Sequence, residues 1–180
     1  MREHVTVSRD TTSIQIPSGY EIVLPAGTNA TIVQSLGGAY TLITEDGMMV
    51  RVSGPEVEAI GKEVASGPQV EGNVSQEELD KLVWDQLRTC FDPEIPVNIV
   101  DLGLVYLCAL EPMEEGTYRV QIKMTLTAPG CGMGPVLAAD VESKVRALPG
   151  VRDANVEVVF DPVWDRSMMS EAAKLQLGMW

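Results

Sequence analysis

The feature that most constrains the fold is a glycine-rich turn between a strand-like segment and a helix-like segment. Residues 120–126 alternate apolar and polar side chains, which predicts a β-strand, and residues 133–148 have apolar side chains at helical spacing. The turn between them, residues 127–134, contains Cys131 and three glycines. The sequence therefore predicts a strand, a tight turn that carries a cysteine, and a helix in direct succession.

Cys131 falls close to the expected first turn of that helix, where unpaired backbone N–H groups carry partial positive charge. Such surroundings lower the pKa of a thiol, and the thiolate is the form that attacks or binds metal. Gly130 and Gly132 let the backbone turn sharply and leave room for a partner. Two interpretations stay open, because an unpaired cysteine is often a small apolar side chain buried in a turn.

Charge and composition exclude several classes of function. The 180 residues include 26 acidic and 13 basic side chains, a net charge of −13, which argues against nucleic acid and anionic membranes. We expect a cytoplasmic protein, because no signal peptide and no membrane-length apolar run are visible. Cys90, Cys108 and Cys131 show no pairing pattern, so a disulfide scaffold is not expected.

The single histidine limits the possible metal and hydrolase chemistry. His4 lies in a segment that we expect to be a flexible terminus, and no paired-cysteine or histidine motif accompanies it. One chain cannot supply a usual four-ligand zinc site, and a cysteine hydrolase would lack its histidine base. If Cys131 binds iron, further ligands must come from a second subunit, a partner or a small molecule.

The chain divides at residues 66–74, a polar stretch with glycine and proline that is typical of a linker. Residues 1–65 contain short strand-like runs and tight turns, which predict a small antiparallel β barrel or meander, followed by a short helix at residues 56–64. Residues 75–180 predict a compact α+β domain in the order α-β-β-α-β, with a last short helix.

In the second domain, Ser75 and Glu78 have the spacing of a capping box at the start of a helix. Strands are expected at residues 102–110, 118–126 and 151–160. Cys90 at a helix end and Cys108 within a strand are expected to be packing residues.

Three loops of the second domain, at residues 92–103, 125–134 and 161–170, contain more proline, glycine, acidic and sulfur-containing residues than a simple connection needs. Asp101 is expected to open a strand, where its carboxylate faces the cysteine turn. The candidate pocket around Cys131 consists of Asp92, Glu94, Asp101, Thr125, Thr127, Gly130, Gly132 and Trp164.

Each of these residues also has a simpler interpretation. The aspartates satisfy local N–H groups and the threonines suit a strand. Trp164, Met168 and Met169 either cover a pocket or a contact surface, or pack on the core.

These loops resemble the signatures of a known family. Residues 92–106, 124–131 and 161–173 resemble, in order, three signatures of PaaD-like iron–sulfur assembly domains, and the similarity covers about residues 75–178. With its N-terminal β piece, the chain resembles the longer bacterial form, the SufT proteins of the Suf system. Val163 departs from the pattern, since relatives often have proline there.

The resemblance implies a maturation factor, not an enzyme, that assists the assembly or delivery of iron–sulfur clusters to apo-proteins. It implies a compact, often dimeric domain, with Cys131 as the reactive thiol or transient ligand and Asp101 as the acidic signature residue. The implied partners are Suf assembly proteins and apo iron–sulfur proteins. Only a transient iron–sulfur cluster or iron is expected, with nothing stably bound.

Two alternatives stay open. The first is a non-catalytic adaptor that recruits assembly proteins and apo-targets through its acidic surface and methionines, with Cys131 structural. The second is a thiol redox sensor or thiol-transfer enzyme, which is disfavoured because no resolving cysteine lies near Cys131 in the sequence.

Overall fold

The computed structural model describes residues 2–66, 73–92, 95–128, 130 and 132–179. The chain forms two compact units, Met1–Ser66 and Gly67–Trp180. Most of the predicted linker, residues 67–72, lies outside the described residues. Each unit has its own hydrophobic core.

The first unit is a six-stranded antiparallel sheet with the order β1-β4-β5-β6-β2-β3. The antiparallel pairing agrees with the prediction, but the order is not that of a meander, in which consecutive strands are neighbours. Its strands are β1 Glu3–Thr6, β2 Thr11–Gln15, β3 Glu21–Leu24, β4 Asn29–Leu36, β5 Ala39–Thr44 and β6 Met49–Val52. The Asp-Gly turn between β5 and β6 is present, with Gly47 at a φ of +85°.

Two expectations for the first unit are wrong. His4 does not lie in a flexible terminus but in β1, where it pairs with Thr31 of β4. Pairing with β4 and an ion pair between Glu3 and Lys62 order this short polar strand, whose own sequence carries little β signal. The predicted helix at residues 56–64 is a 3₁₀ helix, Gly54–Ile60, which ends at Gly61 because that residue is left-handed, with a φ of +73°.

The second unit has the predicted order α-β-β-α-β followed by a short helix. Its elements are α1 Gln76–Leu87, β7 Val105–Pro112, β8 Tyr118–Met124, α2 Gly134–Arg146, β9 Val151–Val158 and α3 Glu171–Gln176. The sheet order is β7-β8-β9, with β7 antiparallel to β8 and β8 parallel to β9. The α+β fold class is therefore confirmed.

The core of the second unit lies between the helices and one face of the sheet. Apolar residues at helical spacing on α1 and α2 meet alternate residues of β8. The buried set includes Leu79, Val83 and Leu87 of α1, Val120, Ile122 and Met124 of β8, and Leu137, Val141 and Val145 of α2. Residues between them on β8, such as Lys123, lie on the opposite face, and Lys123 is exposed.

The predicted capping box begins α1. The Ser75 hydroxyl accepts a hydrogen bond from the Glu78 N–H at 3.2 Å, and the Glu78 carboxylate accepts one from the Ser75 N–H at 3.0 Å. The bond from the Ser75 N–H is the main reason that the pKa of Glu78 lies below its ordinary value of 4.5, and the nearby Ser75 hydroxyl adds to the effect, because both favour the ionised carboxylate.

We predict that Ser75→Ala lowers the free energy of unfolding of the second unit by about 1 kcal/mol. All three tryptophans, at positions 84, 164 and 180, belong to this unit, so tryptophan fluorescence during urea unfolding reports on it alone. Lys81→Ala, at an exposed position in the middle of α1, is the control and changes stability far less.

The contribution of the Glu78 carboxylate also has a defined pH dependence. Because folding lowers its pKa, the stabilisation is present above pH 4.5 and is lost as the pH falls through the folded pKa. The destabilisation by Glu78→Ala must therefore shrink in acid, whereas that by Ser75→Ala should persist, because the Ser75 hydroxyl accepts from a backbone N–H that does not titrate. A Glu78→Ala effect that is equal at pH 7 and below the folded pKa contradicts the role of the carboxylate in the capping box.

Candidate functional site

The topology of the second unit brings the three signature loops to one edge of its sheet. The ends of the parallel strands β8 and β9 lie side by side, and the antiparallel strand β7 begins there. We call this the motif edge, and its loops the first segment (residues 92–104), the second segment (residues 125–134) and the third segment (residues 159–170).

Backbone hydrogen bonds join the three segments at the strand ends. The Thr125 N–H donates to the Leu104 carbonyl at 2.8 Å, which links the second segment to the first. The Val159 N–H donates to the Met124 carbonyl at 2.8 Å, which fixes the start of the third segment beside the end of β8. The second segment is therefore the middle one of the three.

The first and third segments also contact each other directly. The Ser170 N–H donates to the Asp101 carbonyl at 2.8 Å. The Trp164 indole Nε1–H donates to the Leu102 carbonyl at 2.6 Å. Of the two interpretations of Trp164, the structure shows packing against the core, with the side chain half-buried.

Gly103 is the position where the first and third segments come closest. Its φ is +75°, and a Cβ there would overlap the backbone carbonyl of Met168. The Tyr106 hydroxyl reaches the same segment, donating to the Pro162 carbonyl at 2.8 Å and lying 3.5 Å from the Met168 sulfur. Only glycine satisfies both the left-handed backbone and the close approach at residue 103.

The expectation that Asp101 opens a strand is wrong. The N–H groups of residues 102, 103 and 104 donate back to the carbonyls of residues 98, 100 and 99, which forms a turn, and β7 begins only at Val105. The Asp101 carboxylate accepts from the Asn98 side-chain NH₂ group at 2.7 Å, and the Asn98 side-chain oxygen Oδ1 accepts from the Asp101 backbone N–H at 2.9 Å. Asn98 and Asp101 thus stabilise the turn together.

Asp92 and Glu94 are the remaining acidic candidates, and only Asp92 is among the residues that the structure describes. Asp92 is 6% exposed, and its carboxylate accepts from the Ile95 N–H at 3.1 Å, so it holds the start of the first segment. Glu94 lies outside the described residues.

Cys131 also lies outside the described residues, but its neighbours in the second segment are described. Gly130 and Gly132 are exposed, and Gly130 has a φ of +78° with open space around it. Thr127 is half-buried. Thr125 is fully buried, and its hydroxyl makes no hydrogen bond to any residue that the structure describes.

The start of α2 packs closely against the second segment. A Cβ on Gly134 would lie 2.6 Å from a terminal methyl group of the Leu126 side chain, so a larger residue there would require Leu126 to move. Met133 precedes the helix and provides no side-chain cap. The first N–H groups of α2 therefore keep the partial positive charge of an uncapped helix start.

The two described cysteines have the environment of packing residues, as expected. Cys90 is 1% exposed, and Cys108 is half-buried in β7. Burial raises the pKa of the Cys108 thiol to about 11, and the nearby Asp80 carboxylate adds to this effect. Cys108 is therefore protonated at neutral pH and is a poor nucleophile or metal ligand.

The two methionines of the third segment, Met168 and Met169, expose little of their side chains to solvent. Met169 is 5% exposed and belongs to the core, and Met168 is half-buried.

Within the described ranges, no group of three or more histidine, cysteine or acidic residues is placed to hold a metal ion. No helix in the described part of the chain is long and apolar enough to cross a membrane.

Asn98, Gly103 and Tyr106 were missing from the predicted site. The spacing of three residues between Asn98 and Asp101 is the signal that could have indicated their shared turn. The contacts of Gly103 and Tyr106 with the third segment join residues about 60 positions apart, which no local pattern reveals.

Comparisons with known proteins show the family to which the second unit is similar. A family described as iron-sulfur cluster assembly protein matches residues 80–158, within the second unit. An Fe-S protein maturation auxiliary factor from Porphyromonas gingivalis is 45% identical over 92 residues, 51% of this chain and 84% of the relative. The Fe-S protein maturation auxiliary factor SufT from Staphylococcus aureus is 41% identical over 88 residues, 49% of this chain and 96% of the relative.

A solved structure supports the fold of the same region. A domain of unknown function from Bacillus anthracis superposes with a TM-score of 0.50 at 35% identity, covering 58% of this chain and 96% of that one. The chain belongs to the iron–sulfur cluster assembly protein family, and it is SufT-like.

We predict that Gly103→Ala lowers the free energy of unfolding of the second unit by about 3 kcal/mol, because the added Cβ overlaps the Met168 backbone. Gly116→Ala is the matched control: its φ is +70° with open space around it, and it should cost about 1 kcal/mol. Urea unfolding followed by tryptophan fluorescence measures both. Equal losses contradict the close contact of the two segments.

We also predict that iodoacetamide modifies Cys108 about two hundredfold more slowly than free cysteine at pH 8, because so little thiolate is present. The rate should keep rising up to about pH 11. Peptide mapping by mass spectrometry measures the rate for each cysteine separately. A Cys108 rate that levels off near pH 8.5 is incompatible with the raised pKa.

Proposed function

We propose that this chain is an auxiliary factor that assists the assembly of iron–sulfur clusters or their delivery to apo-proteins, with Cys131 as the reactive thiol or transient ligand. The observation that carries the proposal is the convergence of the three signature segments at the motif edge. Relatives that the chain covers almost completely are named as Fe-S protein maturation auxiliary factors. The cluster is the cargo of this function.

The second segment has properties that suit a sulfur-containing cargo. Cys131 stands between two exposed glycines, which leave room for a bulky group beside the backbone. The uncapped start of α2 lies three residues further along the chain, and its partial positive charge favours a thiolate over a thiol. Because both other cysteines are buried or half-buried, Cys131 is the cysteine to which we assign this chemistry.

A single thiolate does not complete the coordination of iron in a cluster, which is commonly held by four cysteines. The remaining ligands would come from a second copy of the chain in a homodimer, from a partner protein or from a small molecule. Incomplete coordination favours release over storage, which suits a transient cluster or iron. This role is auxiliary and not catalytic.

The partners that fit this function are Suf-system assembly proteins and apo iron–sulfur proteins, and the location that we propose is the cytoplasm. Three large apolar side chains in or near the motif edge are exposed to solvent: Leu107 at 44%, Phe160 at 44% and Val163 at 69%. Exposed apolar groups of this kind are common where proteins meet. They provide a contact surface for a partner beside the cargo site.

The same exposed side chains favour one alternative, a non-catalytic adaptor in which Cys131 is structural. An adaptor needs the apolar surface but not the thiol. The two functions therefore differ in their dependence on Cys131.

We predict that Cys131→Ala abolishes the support of iron–sulfur enzymes. The assay is the activity of a four-iron dehydratase in cells that lack the endogenous factor and express either the native chain or a variant. Cys108→Ala is the control and should restore activity to within about twofold, because its thiol is protonated and packed.

The adaptor and the maturation factor give opposite results for Cys131→Ala. Loss of dehydratase activity at unchanged protein abundance supports the proposed function. Full activity with Cys131→Ala contradicts the thiol role and favours the adaptor.

A further inference from the structure

Strand β7 is an edge of the three-stranded sheet, since among the described strands it pairs with β8 alone. An edge strand carries N–H and C=O groups that its own sheet does not use, and these groups can pair with an added strand. The other edge strand, β9, is partly closed. The Arg146 guanidinium donates to the Ala154 carbonyl at 3.1 Å and to the Asp153 carboxylate at 3.2 Å, so a charged side chain lies along that edge.

The register of β7 shows which of its backbone groups point away from β8. Residues of antiparallel strands alternate between pairs that exchange backbone hydrogen bonds and pairs that do not. The Met113 N–H donates to the Thr117 carbonyl at 2.8 Å, directly after the end of β7. Counted back along the register from this bond, the odd-numbered residues bond to β8, whereas the N–H and C=O groups of Cys108 and Leu110 point outward.

Two further observations agree with this assignment. Pro112 occupies the next outward position, where the missing N–H removes no hydrogen bond of the sheet. Within the described part of the chain, no residue donates to or accepts from the outward backbone groups of Cys108 and Leu110. Because Pro112 and the bulge between Val105 and Leu107 lie on either side of these groups, an added strand would be short.

A groove lies beside Leu110 at this edge. It has a volume of about 670 Å³ and is lined by Leu110 and by the first turns of α1, with Glu77 and Asp80 as its charged residues. Asp80 also lies close to Cys108, since its carboxylate adds to the effect of burial in raising the pKa of that thiol. Both charged side chains in the groove are acidic, which favours a basic occupant.

The two faces of the sheet differ at this edge. Cys108 and Leu110 pair with the buried Ile122 and Val120, so their side chains lie on the face that α1 covers. Leu107 lies on the opposite face and is 44% exposed. In an added strand, residues opposite each other share a face and successive side chains alternate between faces.

We propose that the free edge of β7 is a docking site for an extended segment of a partner protein, which adds to the sheet as a fourth strand. The two residues that pair with Cys108 and Leu110 would be lysine or arginine, because their side chains enter the face that holds Glu77 and Asp80. The residue between them would be apolar, because it lies on the face of Leu107. The proposal goes beyond the proposed function and does not depend on Cys131.

Charge argues against a second copy of this chain as the occupant. Pairing β7 with the β7 strand of another copy would bring Glu77, Asp80 and the exposed Glu111 of both copies to one edge. Like charges that meet across an interface oppose association.

The first arm of the test measures amide hydrogen exchange in the full chain by NMR. We expect the amides of Cys108 and Leu110 to exchange at least about tenfold faster than those of Ala109 and Glu111, which bond to β8. Equal protection at every protein concentration means that the chain covers its own edge. Protection that develops only as the concentration rises means that a second copy occupies the edge. Either result overturns the proposal.

The second arm adds a synthetic peptide in which lysine, valine and lysine follow one another between threonines. We expect the amide signals of Cys108 and Leu110 to shift and their exchange to slow at least about fivefold at millimolar peptide. A peptide with glutamate in place of both lysines should cause no shift. No shift with the lysine peptide, or equal shifts with both peptides, overturns the proposal.

The third arm tests the groove with two double variants that each remove two acidic charges. Glu77→Gln with Asp80→Asn should weaken binding of the lysine peptide at least about threefold. Asp85→Asn with Glu171→Gln, at exposed positions outside the groove, is the matched control and should bind within about twofold of the native chain. Native-like spectra show that both variants fold. Equal weakening in the two variants reflects net charge alone and contradicts a basic segment in the groove.

Discussion

The parallel pairing of β8 with β9 is the constraint on which the rest of the site depends. It places the ends of two consecutive strands at one edge, and the antiparallel strand β7 begins at the same edge. The crossover through α2 makes this pairing possible, since parallel neighbours need a long connection. Because α2 begins within the second segment, the same connection places an uncapped helix start beside that segment.

The site is fixed by backbone groups more than by side chains. Carbonyls of residues 101, 102 and 104 accept bonds from the third or second segment, and Gly103 allows the close approach between them. Such contacts tolerate little change in backbone geometry, whereas the exposed glycines at 130 and 132 leave space beside Cys131. A frame of backbone hydrogen bonds around an exposed turn is consistent with the transient cargo site that we propose.

Much of the fold could be predicted from local patterns. The capping box at Ser75, the apolar stripes of α1 and α2 and the alternation in β8 each depend on residues close in sequence. Strand β1 was missed because its stability comes from β4, about 27 residues away. Asp101 was misplaced because the apolar residues after it are buried in a turn and not in a strand.

The candidate site was less accessible to sequence analysis than the fold. The signatures predicted which three loops form the candidate site, but the meeting of these loops at one edge depends on strand order, which is a tertiary property. That the Thr125 hydroxyl has no hydrogen-bond partner among the described residues could not be predicted either, because a threonine near a strand end is ordinary until its surroundings are known.

Hydrogen–deuterium exchange of the protein before and after anaerobic addition of iron and sulfide is the most direct test of the motif edge as the cargo site. We predict increased protection in the first, second and third segments and none in the six-stranded sheet of the first unit. Bound iron without added protection in the three segments, or with protection confined to the first unit, would contradict this assignment.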